Sequence, residues 1–319
     1  MSRINIPNDY PIEITLPDIE PYAAGNTGIP FVWRFEAEAP GPNVMVSALV
    51  HGNEPCGAIA LNWLFQQNIR PSAGTLTLAF MNVEAYRAFD PHDPNATRWL
   101  DEDMNRVWDA AVLDGTRTSR ELRRAREIRP LLDDIDVLFD IHSMQHVAPP
   151  LMMSGRHPRA KDLATKIGVP KRVVGDAGHA AGRRMRDYGA FDDPAATKTA
   201  LLIECGQHWE AKAAPLAIEA TLRCLVATGT LPPDRLDAYP EPVPQMFFTV
   251  TEAVTIESDG FQFAKPFTGG EIFAEAGTLI GHDGDRAILT QTPDTMLVMP
   301  SKRLWKGQTA VRLAAPDPR

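Results

Sequence analysis

The sequence predicts an α/β protein, a mixed sheet flanked by helices, with a smaller all-β domain at its carboxyl end. Three observations carry that prediction. Strand and helix signals alternate from residue 44 to residue 228, prolines crowd residues 231–245, and the remainder consists of short alternating stretches broken by turn residues.

Taken in order, residues 44–50 are an apolar run of strand length, and 56–68 read as a helix. Residues 75–81 repeat the strand signal, 119–132 give a charged helix, and 136–141 a strand again. After the apolar strand 199–203 comes a helix over 212–228, with Gly229 placed to stop it. Repeated strand and helix implies a sheet with helices on both faces. Pro232, Pro233, Pro240, Pro242 and Pro244 then form a density that neither a helix nor a central strand tolerates. The domain boundary is placed there, dividing the chain into 1–235 and 236–319. Beyond it, stretches such as Phe247-Phe248-Thr249-Val250 and Met296-Leu297-Val298-Met299 are separated by turn signals at Ser258-Asp259-Gly260, Gly269-Gly270 and Asp283-Gly284-Asp285, the pattern of a small β domain.

Composition narrows the functional classes. The chain has 319 residues, of which 44% are hydrophobic, enough for one large domain with a real core and a smaller one. Residues 1–16 carry no apolar leader segment, and no run of about 18 uncharged apolar residues occurs, so a soluble, unexported protein is expected. Cys56, Cys205 and Cys224 are odd in number and form no C-x-x-C pair, which fits a reducing cytoplasm and speaks against a cysteine zinc site. A formal charge of −9 argues against nucleic acid or an anionic membrane as partner. A homo-oligomer stays open, because sequence alone does not read that state.

The chemistry gathers where apolar strands stop. His51-Gly52-Asn53-Glu54 follows the strand at 44–50, His142 follows 137–141, and Glu204 follows 200–203. Open α/β sheets build their sites at the carboxyl ends of strands, so these positions suggest one convergent metal centre. Neutral imidazoles with a carboxylate suit zinc, and three protein ligands leave a fourth position open. The plainer alternative makes His51 a hydrogen-bonded loop residue and Glu54 a charge favoured at the start of a helix. His146 competes with His142, but the residues before His142 read as strand and Pro149-Pro150 follow closely, so His142 is preferred and His146 is read as a pocket or surface residue. Asp140 is a candidate to orient a ligand from behind.

Glu204, at the end of so apolar a strand, is expected to have a raised pKa and to serve as general base; the alternative is a strand-capping Glu with an Arg partner. Cys205 beside it reads as a packing residue. Arg98, Asn105 and Arg106 could anchor an anionic substrate and stabilise a tetrahedral intermediate, although Asp101, Glu102 and Asp103 offer each Arg a plain salt bridge. The segment Gly182-Arg183-Arg184-Met185-Arg186-Asp187-Tyr188-Gly189 has the composition of a substrate-covering loop with Tyr188 as a contact, or equally of a solvated turn.

Assembled, these residues make the chain resemble the succinylglutamate desuccinylase and aspartoacylase family, a branch of the zinc carboxypeptidase superfamily. The matching motifs are HGNE at 51–54, TRWLDEDMNR at 97–106 against the family's D-L-N-R, FDIHS at 139–143 and LIECGQH at 202–208. The resemblance implies a zinc-carboxypeptidase-like fold with one zinc ion per chain held by His51, Glu54 and His142. It also implies that Glu204 handles the proton, Arg98 polarises the scissile carbonyl, and Asn105 with Arg106 holds a substrate carboxylate. Met104 stands where the family usually has Leu, a nearly volume-neutral exchange. The expected activity is hydrolysis of the amide of a small N-acyl amino acid or related N-acyl amine. The rivals are a metallocarboxypeptidase acting on short peptides and a catalytically silent metabolite-binding protein on the same fold. Serine hydrolase chemistry is not expected, as no G-x-S-x-G occurs.

Overall fold

A computed structural model describes residues 10–179 and 181–317, so most of the stretch 1–16 lies outside the described residues. Its centre is a parallel run of strands. These are β2 (Asn43–Ala48), β3 (Thr75–Phe80), β4 (Val137–Met144) and β7 (Thr199–Gln207), in the spatial order β3-β2-β4-β7. They are apolar almost throughout because both faces are covered. Val44, Val46, Ala48, Phe139, Ile141 and Ile203 pack on one face, against the helices α1 (Pro55–Gln66), α5 (Pro158–Ile167) and α6 (Ala213–Ala227). Met45, Leu138 and Ala200, pointing the other way by strand alternation, pack with Leu122, Ala125 and Ile128 of α4 (Arg120–Asp134). Ser119 caps α4 by accepting a hydrogen bond from the Leu122 N–H at 2.9 Å, and Gly229 takes the left-handed conformation just beyond α6.

Around this core lie elements too short to stand out in the sequence. The strand β1 (Val32–Glu36) pairs antiparallel with β3 at the sheet edge. Two brief helices, α2 (Val83–Arg87) and α3 (Ala110–Asp114), precede α4. The three-residue β5 (Leu151–Met153) lies antiparallel to β7, and β6 (Arg172–Gly175) parallel to β5.

The proline-rich stretch delivers the chain to β8 (Met246–Thr255), which pairs parallel with β6 from Arg172↔Met246 to Gly175↔Thr249. The carboxyl-terminal strands therefore extend the main sheet. After β8 come β9 (Phe261–Phe263), β10 (Ile272–Phe273), β11 (Leu279–Asp283), β12 (Arg286–Leu289), β13 (Thr295–Val298) and β14 (Thr309–Pro316). The complete sheet has eleven strands in the order β1-β3-β2-β4-β7-β5-β6-β8-β14-β13-β10, and β12-β11-β9 form a smaller antiparallel sheet. One apolar cluster, including Met144, Leu151 and Val174 with Phe248, Met296 and Ala314, joins the two parts. No helix among the described residues is long and apolar enough to cross a membrane.

Two strands run further than their apolar stretches suggest. β4 continues through His142 to Met144 and β7 through Glu204 to Gln207, with His142 opposite Glu204 and a register shift before Met144↔Gln207. Gly206 sits at this irregularity with φ 118°, a conformation that favours glycine, and a Cβ there would also displace the Glu210 carboxylate, whose Oε1 would stand 2.0 Å away.

Candidate active site

The site lies at the carboxyl ends of β2, β4 and β7. β2 ends at Ala48, and Leu49 then adopts φ 63°, a strained conformation for a branched side chain that turns the chain toward His51. Gly52 is needed here for close approach, not for the freedom to curl: a Cβ would come 2.4 Å from Ala85 C and 2.6 Å from Thr97 O. The Gly52 N–H donates to Arg98 O at 3.0 Å, which ties this turn to the segment carrying Arg98. Glu54 is the residue before α1, with Pro55 opening the helix, and its carboxylate makes no capping bond.

That carboxylate bridges two imidazoles. His51 Nδ1 lies 2.8 Å from Glu54 Oε1, and His142 Nδ1 lies 2.9 Å from Glu54 Oε2. The far ring nitrogens are held from behind, His51 Nε2 by Asp103 Oδ1 at 2.9 Å and His142 Nε2 by Asp140 Oδ2 at 2.8 Å. Ser47 Oγ in turn donates to Asp140 Oδ1 at 2.7 Å. Carboxylates behind both Nε2 atoms orient the rings and turn both Nδ1 atoms toward Glu54, the arrangement by which proteins orient metal-binding histidines; without a metal, Asp140 and Glu54 outweigh burial and hold His142 well above the usual imidazole range, and His51 Nε2 also meets Arg98 Nη2 at 3.1 Å. The donor atoms of His51, Glu54 and His142 all lie within 4.8 Å of one another, and the three residues are buried. This donor set, two imidazoles and a carboxylate with oriented rings, fits zinc.

The electrostatics divide the two glutamates. Burial alone would raise Glu54, but His51, His142 and Arg98 outweigh it and hold its carboxyl well below the usual range. Arg98 Nη1 donates to Glu54 Oε1 at 2.6 Å. Glu204 is pushed up to about 8, first by burial and then by the Glu54 charge, with His142 and Arg98 opposing. Its Oε2 is buried without a hydrogen-bond partner among the described residues. A cavity of about 170 Å³ adjoins this group through Arg98, Asp103 and Glu204, and Asn53, Arg106, His208 and Arg303 are among its other lining residues.

A sequence model of the succinylglutamate desuccinylase/aspartoacylase catalytic domain matches residues 40–224, more than half of the chain. The chain belongs to this family. Solved structures of the family share its fold. The succinylglutamate desuccinylase from Vibrio cholerae superposes with a TM-score of 0.69 at 19% identity over 90% of this chain and 86% of that one. The Vibrio parahaemolyticus desuccinylase gives 0.68 at 17% over 90% and 86%, and the product-bound ectoine utilization protein from Ruegeria pomeroyi 0.58 at 18% over 90% and 88%. At such identities the likeness establishes the fold alone. No curated protein sequence matches the chain. Members of the family are desuccinylases and aspartoacylases, amidohydrolases acting on small N-acyl amino acids.

Of the residues that the family motifs single out, the fold brings His51, Glu54, His142, Glu204, Arg98 and Arg106 together. Arg106 lowers its face into the cavity 3.9 Å from Asp103 Oδ2 and donates through Nη1 to Asn105 O at 2.7 Å. Asn105 is buried and does not line the cavity; its Oδ1 accepts the Met185 N–H at 2.9 Å and pins the 182–189 loop. Tyr188 is not brought to the site. Its ring packs on Trp108 with centroids 5.8 Å apart, and its hydroxyl meets Arg129 Nε and Asp133 Oδ1, each at 3.0 Å. The loop turns inward because its charges are satisfied there: Arg184 pairs with Asp176 and Asp187, and Arg186 with Asp187 at 2.6 Å. His146 lines the cavity, as a pocket residue, and is no part of the donor trio.

Sequence reading missed two groups. Asp103, read as one of three neighbours neutralising arginines, is the partner of His51. Arg303 comes from the loop between β13 and β14, so no local motif announces it. Its guanidinium lies 5.0 Å over the Trp99 ring, whose other cation is Arg98 at 5.6 Å. Burial, with Arg98 and Arg106 as like charges, pulls Arg303 down to about 10.

Proposed function

We propose that the protein is a zinc-dependent amidohydrolase that cleaves a small N-acyl amino acid, with one zinc ion per chain held by His51, Glu54 and His142. The observation that carries this reading is the buried trio of His51, Glu54 and His142, its donor atoms within 4.8 Å of one another, together with Glu204, whose buried Oε2 has no hydrogen-bond partner among the described residues and which lines the adjoining cavity. Zinc bound there would supply Lewis acidity toward the amide carbonyl and ease the ionisation of water. Glu204 takes the proton of the attacking water and hands it to the leaving nitrogen, a transfer suited to a carboxyl whose pKa is close to the working pH. Arg98, reaching the cavity beside Glu54, stabilises negative charge developing on the carbonyl oxygen. Arg106 and Arg303 hold the carboxylate of the amino-acid half, since two nearby cations facing one cavity are relieved by an anion between them.

The peptide-cleaving alternative finds less support, because Thr268, Met299, Pro300 and Ser301 of the carboxyl-terminal part line the same cavity and limit its length. The test is a turnover screen with zinc-loaded protein against N-acyl amino acids and short peptides. Hydrolysis of the acyl amino acids is expected; cleavage of peptides alone, or of nothing, would overturn the reading.

A further inference from the structure

The mechanism above leaves one buried polar pair at the cavity unused. His208 follows the Gly206 irregularity at the end of β7; its N–H donates to Met144 O at 2.9 Å, and its ring is 2% exposed. Its Nδ1 lies 2.8 Å from Ser143 Oγ. Nε2 makes no hydrogen bond to the described residues, and the residue lines the same cavity as Glu204.

Hydrogen-bond accounting fixes the tautomer. Ser143 is itself buried, and its hydroxyl has His208 Nδ1 as its acceptor and no other among the described residues. If Nδ1 carried the proton, the serine hydroxyl hydrogen would be buried without an acceptor, at the cost of an unmade hydrogen bond. The satisfied arrangement has Ser143 donating to Nδ1. That leaves Nε2–H as a neutral donor facing the cavity. Burial also holds the ring neutral.

The charges around the cavity are thus unequally placed. Arg303 stands within electrostatic reach of Arg98, Asp103 and Arg106. The arginine that reaches His208 is Arg98, opposed by Glu54, and Ser143, Met144, Gln145 and Glu204 line the same cavity. A carboxylate buried against His208 would face a neutral imidazole, with a thioether and an acidic residue in the same cavity, a poorly compensated charge. A short uncharged acyl group needs only a neutral donor.

We propose that His208, held in its Nε2–H tautomer by Ser143, is a specificity-determining residue for the acyl arm and selects a short uncharged acyl group over a carboxylated one. This rests on the amidohydrolase reading of the site. Two measurements test it. In zinc-loaded protein labelled with ¹⁵N-histidine, the His208 resonances, assigned by their loss in His208→Gln, should show a protonated Nε2, and Ser143→Ala should shift population toward protonated Nδ1; a protonated Nδ1 in the unmodified protein overturns the proposal. In kinetics, the N-acetyl derivative of an amino acid should exceed its N-succinyl derivative in kcat/KM. His208→Leu should lower the acetyl value by about tenfold and narrow the preference, while His208→Gln, which keeps an N–H, should recover most of it. Preference for the succinyl compound, or equal loss on both compounds in His208→Leu, overturns the proposal and leaves the hydrolase reading standing. Turnover of neither compound nor of any other N-acyl amino acid overturns both.

Discussion

Replacing Glu204 by Gln is expected to cost activity and, as pH rises, to gain stability, the second because the native carboxyl is buried. A carboxyl raised from its ordinary 4.5 to about 8 keeps its proton in the folded protein over a range where the unfolded chain has released it. The sign follows from that order: the stabilising contribution is whole below about pH 4.5 and drains away as pH rises through about 8. At about 1.36 kcal/mol per pH unit the full cost of ionising the buried group approaches roughly 5 kcal/mol. Glu204 shares its field with Glu54 and His142, so a measured difference of about 2–5 kcal/mol is expected. Metal-free Glu204→Gln, unfolded in urea, should match the unmodified protein at about pH 4.5 and exceed it by that amount at about pH 9. Zinc-loaded, the same variant should retain its metal and lose about 10² to 10⁴ in kcat, the usual worth of a general acid-base group. Stability curves that stay parallel across this pH range would refute the argument that burial perturbs Glu204. An unchanged kcat would remove Glu204 from proton transfer.

His142→Ala should empty the zinc site on metal analysis, whereas His146→Ala should leave occupancy near that of the unmodified protein, because only His142 has its ring oriented by Asp140 toward Glu54. Arg98→Ala should act mainly on kcat and Arg106→Ala mainly on KM, with some mixing through lost positioning; a pattern reversed between the two would exchange their roles. Tyr188→Phe should cost about 1 kcal/mol in denaturant unfolding through its bonds to Arg129 and Asp133, while kcat and KM stay as they are. A large rise in KM instead would return Tyr188 to the substrate site.

The sequence makes the candidate metal ligands of this site legible because their signals are local. Each of His51, His142 and Glu204 follows an apolar run, and a parallel sheet buried on both faces forces such runs to end their polar chemistry at one edge. Asp103 could not be separated from Asp101 and Glu102 by composition. The difference is made by a short 3-10 turn over Met104–Arg106, where Asp103 accepts the Asn105 N–H at 2.8 Å and thereby presents the same oxygen to His51. Tyr188 misled for the converse reason. Three arginines between two glycines read as a solvent-facing or substrate-facing loop, and the acid that draws Arg184 inward, Asp176, lies outside that segment at the end of β6.

The carboxyl-terminal strands show where local reading stops and why it matters for specificity. Alternation identifies residues 247–250 of the strand Met246–Thr255, but which sheet edge it joins depends on the four-residue β6, a strand too short to register as a pattern. Once β8 pairs with β6, β14 and β13 follow in register, and the loop between them carries Arg303 to the cavity from a site some two hundred residues away from Arg98 in sequence. Main-chain hydrogen bonds continue from the strands that carry His142 and Glu204 to the strands flanking that loop, so the Arg303 cation has a fixed base. Backbone geometry held in this way limits the entropy lost when an anion is captured. The candidate metal ligands are therefore set by local strand ends, whereas the rest of the cavity lining is set by pairings that form only when the whole sheet is assembled.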